Sequence, residues 1–151
     1  MKLILVALDG SPNAQNVLEG ARELAEKTQA KLLLFHAVSL PLGLPPEAYS
    51  MSPVAVGDLV AGAAKTQLDQ LVSDLPPAIV AGVRVEIGTP WQAICEAAKK
   101  ENVDLIAVGS HGFGGMDRLL GTTAAKVVNH ADRSVLVVRA LDLLAELLVK
   151  K

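Results

Sequence analysis

Aromatic side chains are scarce in this chain: one Trp, one Tyr and two Phe make up 3% of its 151 residues, although 51% are hydrophobic. A core must therefore be built from Val, Leu, Ile and Ala, the mixture that suits parallel strands covered by helices. Cysteine is nearly absent. Cys95 stands alone, which excludes an intrachain disulfide and makes a reducing cytoplasm the simpler setting. There is no surplus of positive charge either. Fourteen Lys and Arg against sixteen Asp and Glu leave a formal charge of -2, so nonspecific nucleic-acid binding is not expected as the main task. Finally, no long apolar run opens the chain. Leu3 to Leu8 is apolar for six residues before Asp9, too short for a signal-peptide core or a membrane span, and a soluble, unprocessed protein is expected with no membrane insertion.

What is present is regular alternation. The run Leu3 to Leu8 reads as a strand, and Ser11 and Pro12 after it read as the cap and first residue of a helix. Ala14, Val17, Leu18, Ala21, Leu24 and Ala25 form that helix's buried face, with Glu19, Arg22, Glu23 and Glu26 on its wet side. Lys31 to Val38 is a second strand, followed by a Pro- and Gly-rich loop from Ser39 to Pro53. A helix over roughly Ala55 to Val72 ends before Pro76-Pro77, and Ile79 to Ile87 alternates as a third strand. Thr89 caps a helix that carries Trp91, Ile94, Cys95 and Ala98 on one side. Strand four centres on Leu105 to Val108, a helix spans Thr122 to His130, and Ser134 to Arg139 is strand five. A β-α-β-α-β-α-β-α-β order predicts one doubly wound α/β domain with a five-stranded parallel sheet and helices on both faces. If the strand order is 3-2-1-4-5, strands one and four flank a crevice at their carboxyl ends, where Asp9 and Gly109 stand.

The stretch Gly109-Ser110-His111-Gly112-Phe113-Gly114-Gly115, with Gly121-Thr122-Thr123 at a helix start, has the composition of a phosphate cradle. Glycines let backbone N-H groups approach an anion, and a helix N-terminus adds partial positive charge. From glycine content alone, a tightly turned loop with no ligand reads equally well. Neither G-x-x-x-x-G-K-[ST] nor a G-x-G-x-x-G after the first strand occurs, which disfavours a P-loop NTPase and a dinucleotide-binding domain. His36, His111 and His130 show no metal-ligand spacing with Cys95. Asp9, beside a helix start, reads as a turn residue or a ligand-binding acid.

The fragments Ile4-Leu5-Val6-Ala7-Leu8-Asp9-Gly10-Ser11, Gly88-Thr89-Pro90, Asp104-Leu105-Ile106, Gly109-Ser110-His111-Gly112 and Ser134-Val135-Leu136-Val137-Val138-Arg139 occur in one order. In that order the chain resembles the universal stress protein family, and its ATP-binding members in particular. Gly109, Gly112 and Gly121-Thr122 match the family's G-x-x-G and G-[ST] pattern, with eight residues rather than nine between the halves. The resemblance implies a universal stress protein domain over residues 1–139; beyond it, Asp142, Glu146 and Lys150 recur at every fourth position, so residues 140–151 read as a C-terminal helical extension. It implies an adenine-nucleotide site, taking ATP, ADP or AMP, formed by Ala7, Leu8, Asp9, Ala37, Val108, Gly109, Ser110, His111, Gly112, Gly114, Gly121, Thr122, Thr123 and Ala124. Mg²⁺ bound to the nucleotide would lie near Asp9. It further implies a homodimer through the fifth strand, at Val135, Leu136, Val137 and Val138, acting as a cytoplasmic stress sensor or adaptor on a protein partner, with slow or no ATP hydrolysis. A cyclic AMP binder and a dimeric interaction module with an empty cleft are the alternatives.

Overall fold

The computed structural model describes residues 1–39, 50, 52–110 and 120–139. Five strands form one all-parallel sheet: β1 (Leu3–Ala7), β2 (Lys31–Val38), β3 (Val80–Ile87), β4 (Leu105–Gly109) and β5 (Ser134–Val138), in the order β3-β2-β1-β4-β5. Four helices connect them: α1 (Ala14–Thr28), α2 (Pro53–Ser73), α3 (Pro90–Lys100) and α4 (Thr122–His130). The expected order and fold class are those observed.

Two apolar layers follow from the two-residue period of the strands. Ile4, Val6, Leu32 and Leu34 point to the α1 and α2 side, where they meet Val17, Leu18, Ala21 and Leu68. Leu5, Leu33, Phe35 and Ile106 point to the other side and meet Ala93, Ile94, Ala97 and Val127 of α3 and α4. The residues at three- and four-step spacing on α1 are those it buries, with Leu24 only partly covered.

Some boundaries differ from the sequence expectation. Ser11 and Pro12 do not begin α1. The Asp9 carboxylate Oδ1 accepts the Ser11 N-H at 2.9 Å, the Ser11 hydroxyl accepts the Asn13 N-H at 3.3 Å, and the Ser11 carbonyl accepts the Ala14 N-H at 3.0 Å. These bonds hold residues 9–13 as a turn, with Gly10 in the left-handed region at φ 74°, so the helix starts at Ala14. Helix α2 starts two residues earlier than expected because the Ser52 hydroxyl accepts the Ala55 N-H at 3.1 Å, a side-chain N-cap, with Pro53 next to it. Ile79 closes a single 3-10 turn over Pro77–Ile79 before β3. Thr89 stands at the N-cap position of α3, but its hydroxyl accepts no capping hydrogen bond. Among the described residues no helix is long and apolar enough to cross a membrane.

Candidate functional site

Strand order reverses at β1, whose neighbours β2 and β4 leave by connections on opposite faces of the sheet. At such a reversal the loops diverge and open a crevice beyond the carboxyl ends of the strands. Here that crevice has a volume of about 740 Å³, within the range of small-molecule sites.

Its floor and one wall come from Ala7, Leu8, Asp9 and Ala37, and the opposite wall from Val108, Gly109, Ser110, Gly121, Thr122, Thr123 and Ala124. These are the sequence-predicted site residues, now gathered from β1, β2, β4 and α4. The remaining three, His111, Gly112 and Gly114, lie outside the described residues. Gly121 stands at the N-cap position of α4 in extended conformation, so the first turn of that helix points its backbone N-H groups into the crevice.

Several lining residues were not anticipated: Ser11, Asn13, Ala14, Val17, His36, Val38, Ser39, Pro90 and Ile94. Most were read only as turn, cap or core positions. His36 had a usable signal, since it immediately precedes Ala37 at the carboxyl end of β2. It sits half-buried on the α2 side, where a Cβ at Gly10 would lie 3.6 Å from its Cε1 and 3.1 Å from Gln67 Oε1. Burial holds the His36 imidazole below its ordinary pKa, and the negative charge of Asp9 partly offsets this. Asp9 is occupied as a turn residue through one carboxylate oxygen while it lines the crevice.

Two hydrogen bonds close the base of the segment between β4 and α4. The Gly121 N-H donates to the Ser110 carbonyl at 2.6 Å, and the Ser110 N-H donates to the Val138 carbonyl at 2.9 Å. Trp91 and Cys95, on the apolar side of α3, are only partly buried and pack against the edge of the apolar layer under α3 and α4. Burial, then the charges of Asp132 and Glu96, hold the Cys95 thiol above its usual range. Among the described residues no group of three or more His, Cys, Asp or Glu side chains could hold a metal ion.

A five-stranded 3-2-1-4-5 parallel sheet with a crevice at its reversal defines the class as a doubly wound α/β domain. The comparisons with known proteins narrow that class. The family model described as the universal stress protein family matches residues 1–139. A relative from Coxiella burnetii, universal stress protein A homolog 2, is 39% identical over 140 residues, covering 91% of this chain and 94% of its own. Among solved structures, universal stress protein UspA from Lactobacillus plantarum is similar at a TM-score of 0.70 and 27% identity, over 91% of this chain and 97% of its own. The chain belongs to the universal stress protein family. Two further structures share the fold. One is a universal stress protein in complex with cAMP, with a TM-score of 0.63, 24% identity and 91% and 96% coverage. The other is an Arabidopsis thaliana family protein with AMP bound, with a TM-score of 0.58, 20% identity and 94% coverage of each chain.

Proposed function

We propose that this protein binds an adenine nucleotide in the crevice and acts in the stress response as a dimeric sensor or adaptor rather than as a dedicated enzyme. The observation that carries the reading is the convergence of Ala7, Asp9, Ala37, Val108, Gly109 and Gly121 to Thr123 on one cavity of about 740 Å³. The nucleoside lies toward Ala7, Leu8, Ala37 and Val108, where the walls are apolar, with Asp9 beside them. The phosphates lie at Gly109, Ser110 and the start of α4 at Gly121, Thr122, Thr123 and Ala124, where backbone donors and the helix dipole favour an anion. AMP and cAMP in two proteins of this fold support an adenine nucleotide as the ligand class.

Mg²⁺ fits only as part of the nucleotide complex. Asp9 offers one carboxylate whose Oδ1 already accepts the Ser11 N-H, so the phosphates would supply most of the ligands. Turnover would require an oriented water and cations on the transferring phosphoryl. Asp9 and His36 are the only ionisable side chains among the described lining residues, and hydrolysis well below roughly 10 per second is the reading they support. Residues 1–139 form the nucleotide-binding domain in this reading, and 140–151 an extension.

The same reading makes β5 the dimer edge. Its outer side has no strand partner among the described residues, and Val135, Leu136, Val137 and Val138 along it are only half-buried. An apolar open edge invites pairing with its own copy across a two-fold axis. Calorimetric titration with ATP, ADP, AMP and cAMP, each with and without Mg²⁺, tests the ligand. Saturable binding of at least one is expected, and heat of dilution alone for all four overturns the reading. Sedimentation at micromolar concentration tests the dimer, and a monomer refutes it.

A further inference from the structure

Val138 joins three parts of the molecule. Its carbonyl accepts the Ser110 N-H at 2.9 Å, and the Ser110 carbonyl accepts the Gly121 N-H at 2.6 Å. Val138 also pairs with Gly109 in the last register position of the sheet. Its side chain lies against α1 at Gly20, where a Cβ would stand 3.1 Å from Val138 Cγ1 and 3.3 Å from Cγ2. Two consecutive backbone hydrogen bonds thus run from the start of α4 to the last residue of the open edge strand, and a helix glycine seats that residue from the other side.

We propose that nucleotide occupancy and self-association are coupled through this Gly121–Ser110–Val138 connection, so that each strengthens the other. The inference rests on the nucleotide site and the β5 dimer proposed above and specifies how one regulates the other. A nucleotide whose phosphates sit on the first turn of α4 orders Gly121 and Ser110, and with them the carbonyl end of β5. A second copy pairing with β5 orders the same residues from the opposite side. Whichever binds first lowers the conformational entropy the second must lose, which is positive coupling without any change of fold. Reciprocity is then obligatory: the factor by which nucleotide tightens the dimer equals the factor by which dimerisation tightens nucleotide binding.

The test is the dimer dissociation constant of the full chain by sedimentation, with and without saturating ATP, together with amide hydrogen exchange at Ser110. ATP should tighten the dimer about five- to tenfold, at the modest end of known couplings. It should also slow exchange of the Ser110 N-H at protein concentrations too low for dimerisation. In Gly20→Ala, which lies outside the crevice and reaches β5 only by displacing Val138, the ATP effect on dimerisation should shrink to less than about twofold while the isolated monomer still binds ATP. Equal dimer constants with and without ATP overturn the coupling, and an undiminished ATP effect in a folded Gly20→Ala overturns its route through Val138. Should that variant fail to fold, unchanged Ser110 exchange on adding ATP to the native chain overturns that route instead. A chain that binds no nucleotide, or never dimerises, fails at the underlying reading, which calorimetry and sedimentation of the native protein identify separately.

Discussion

The two ends of the same sheet are built from opposite materials. At the amino end, charged side chains tie neighbouring segments together. The Asp104 carboxylate Oδ2 accepts the N-H groups of Lys2 at 2.7 Å and Leu3 at 2.9 Å, joining the start of β4 to the start of β1. Arg133 Nη1 donates to the carbonyls of Ala98 and Val103, each at 2.8 Å, while its Nε and Nη2 hold Asp132. At the carboxyl end the walls are mostly apolar side chains, hydroxyls and glycines, and the ties are backbone bonds and the Asp9 turn. Charges engaged with the chain's own backbone stabilise it, whereas backbone donors facing a cavity are available to a ligand. Substitutions at the two ends should therefore separate stability from binding.

The largest effect is expected at the carboxyl end. Gly121→Val places a branched side chain at the mouth of α4 without demanding an unusual backbone, since φ there is -62°. ATP affinity should fall about 100-fold or more, as expected for loss of contacts with a charged ligand group worth roughly 3 kcal/mol, while circular dichroism and Tm stay close to those of the native protein. Unchanged affinity would remove the phosphates from this helix start.

Arg133→Met should do the reverse. It keeps the packing of the stem but removes the guanidinium donor from two carbonyls at the α3 to β4 turn, of which Ala98 keeps the Val103 N-H at 3.0 Å, costing about 1–2 kcal/mol. That corresponds to a drop of about 2–8 °C in Tm for a chain of this size. Nucleotide affinity should be unaltered, and a loss of binding at constant Tm would contradict the division between the two ends.

Acid should distinguish the ends by pH window. Burial lowers the His36 pKa in the folded state, so the unfolded chain takes up the proton first and stability declines as pH falls below about 6.5. His36→Gln should flatten the Tm profile between about pH 7 and 5. An unchanged slope would mean that the ring is not shielded as the geometry implies.

The smallest effect belongs to Asp104. The N-H groups of Lys2 and Leu3 hold its carboxyl below the usual range, so its contribution is present above that range and is lost as pH falls through the lowered value. Asp104→Asn should lower Tm slightly at neutral pH, with the difference closing below about pH 4. A Tm gap that widens in acid would reverse the assigned role.

Hydropathy periods were sufficient for the element order, because each strand and helix carries its own pattern: the bounds of β2 and α4 in the structure are the ones read from sequence. The parallel sheet followed from alternation, and the family from ordered fragments spread over most of the chain. Local boundaries failed where side-chain hydrogen bonds competed with helix capping. Ser11 looks like a cap but serves a turn set by the Asp9 carboxylate and the left-handed Gly10.

The sequence alone determined the order and type of the elements and most of the residues in each, since both depend on neighbours a few positions apart. Tertiary structure decided what those residues share. His36 and Gln67 come beside Gly10, Arg133 reaches carbonyls 30 and 35 positions away, and Val138 meets Gly20 and Ser110. These contacts join segments distant along the chain, and their partners are chosen by the packing of helices on the sheet, which no local pattern encodes.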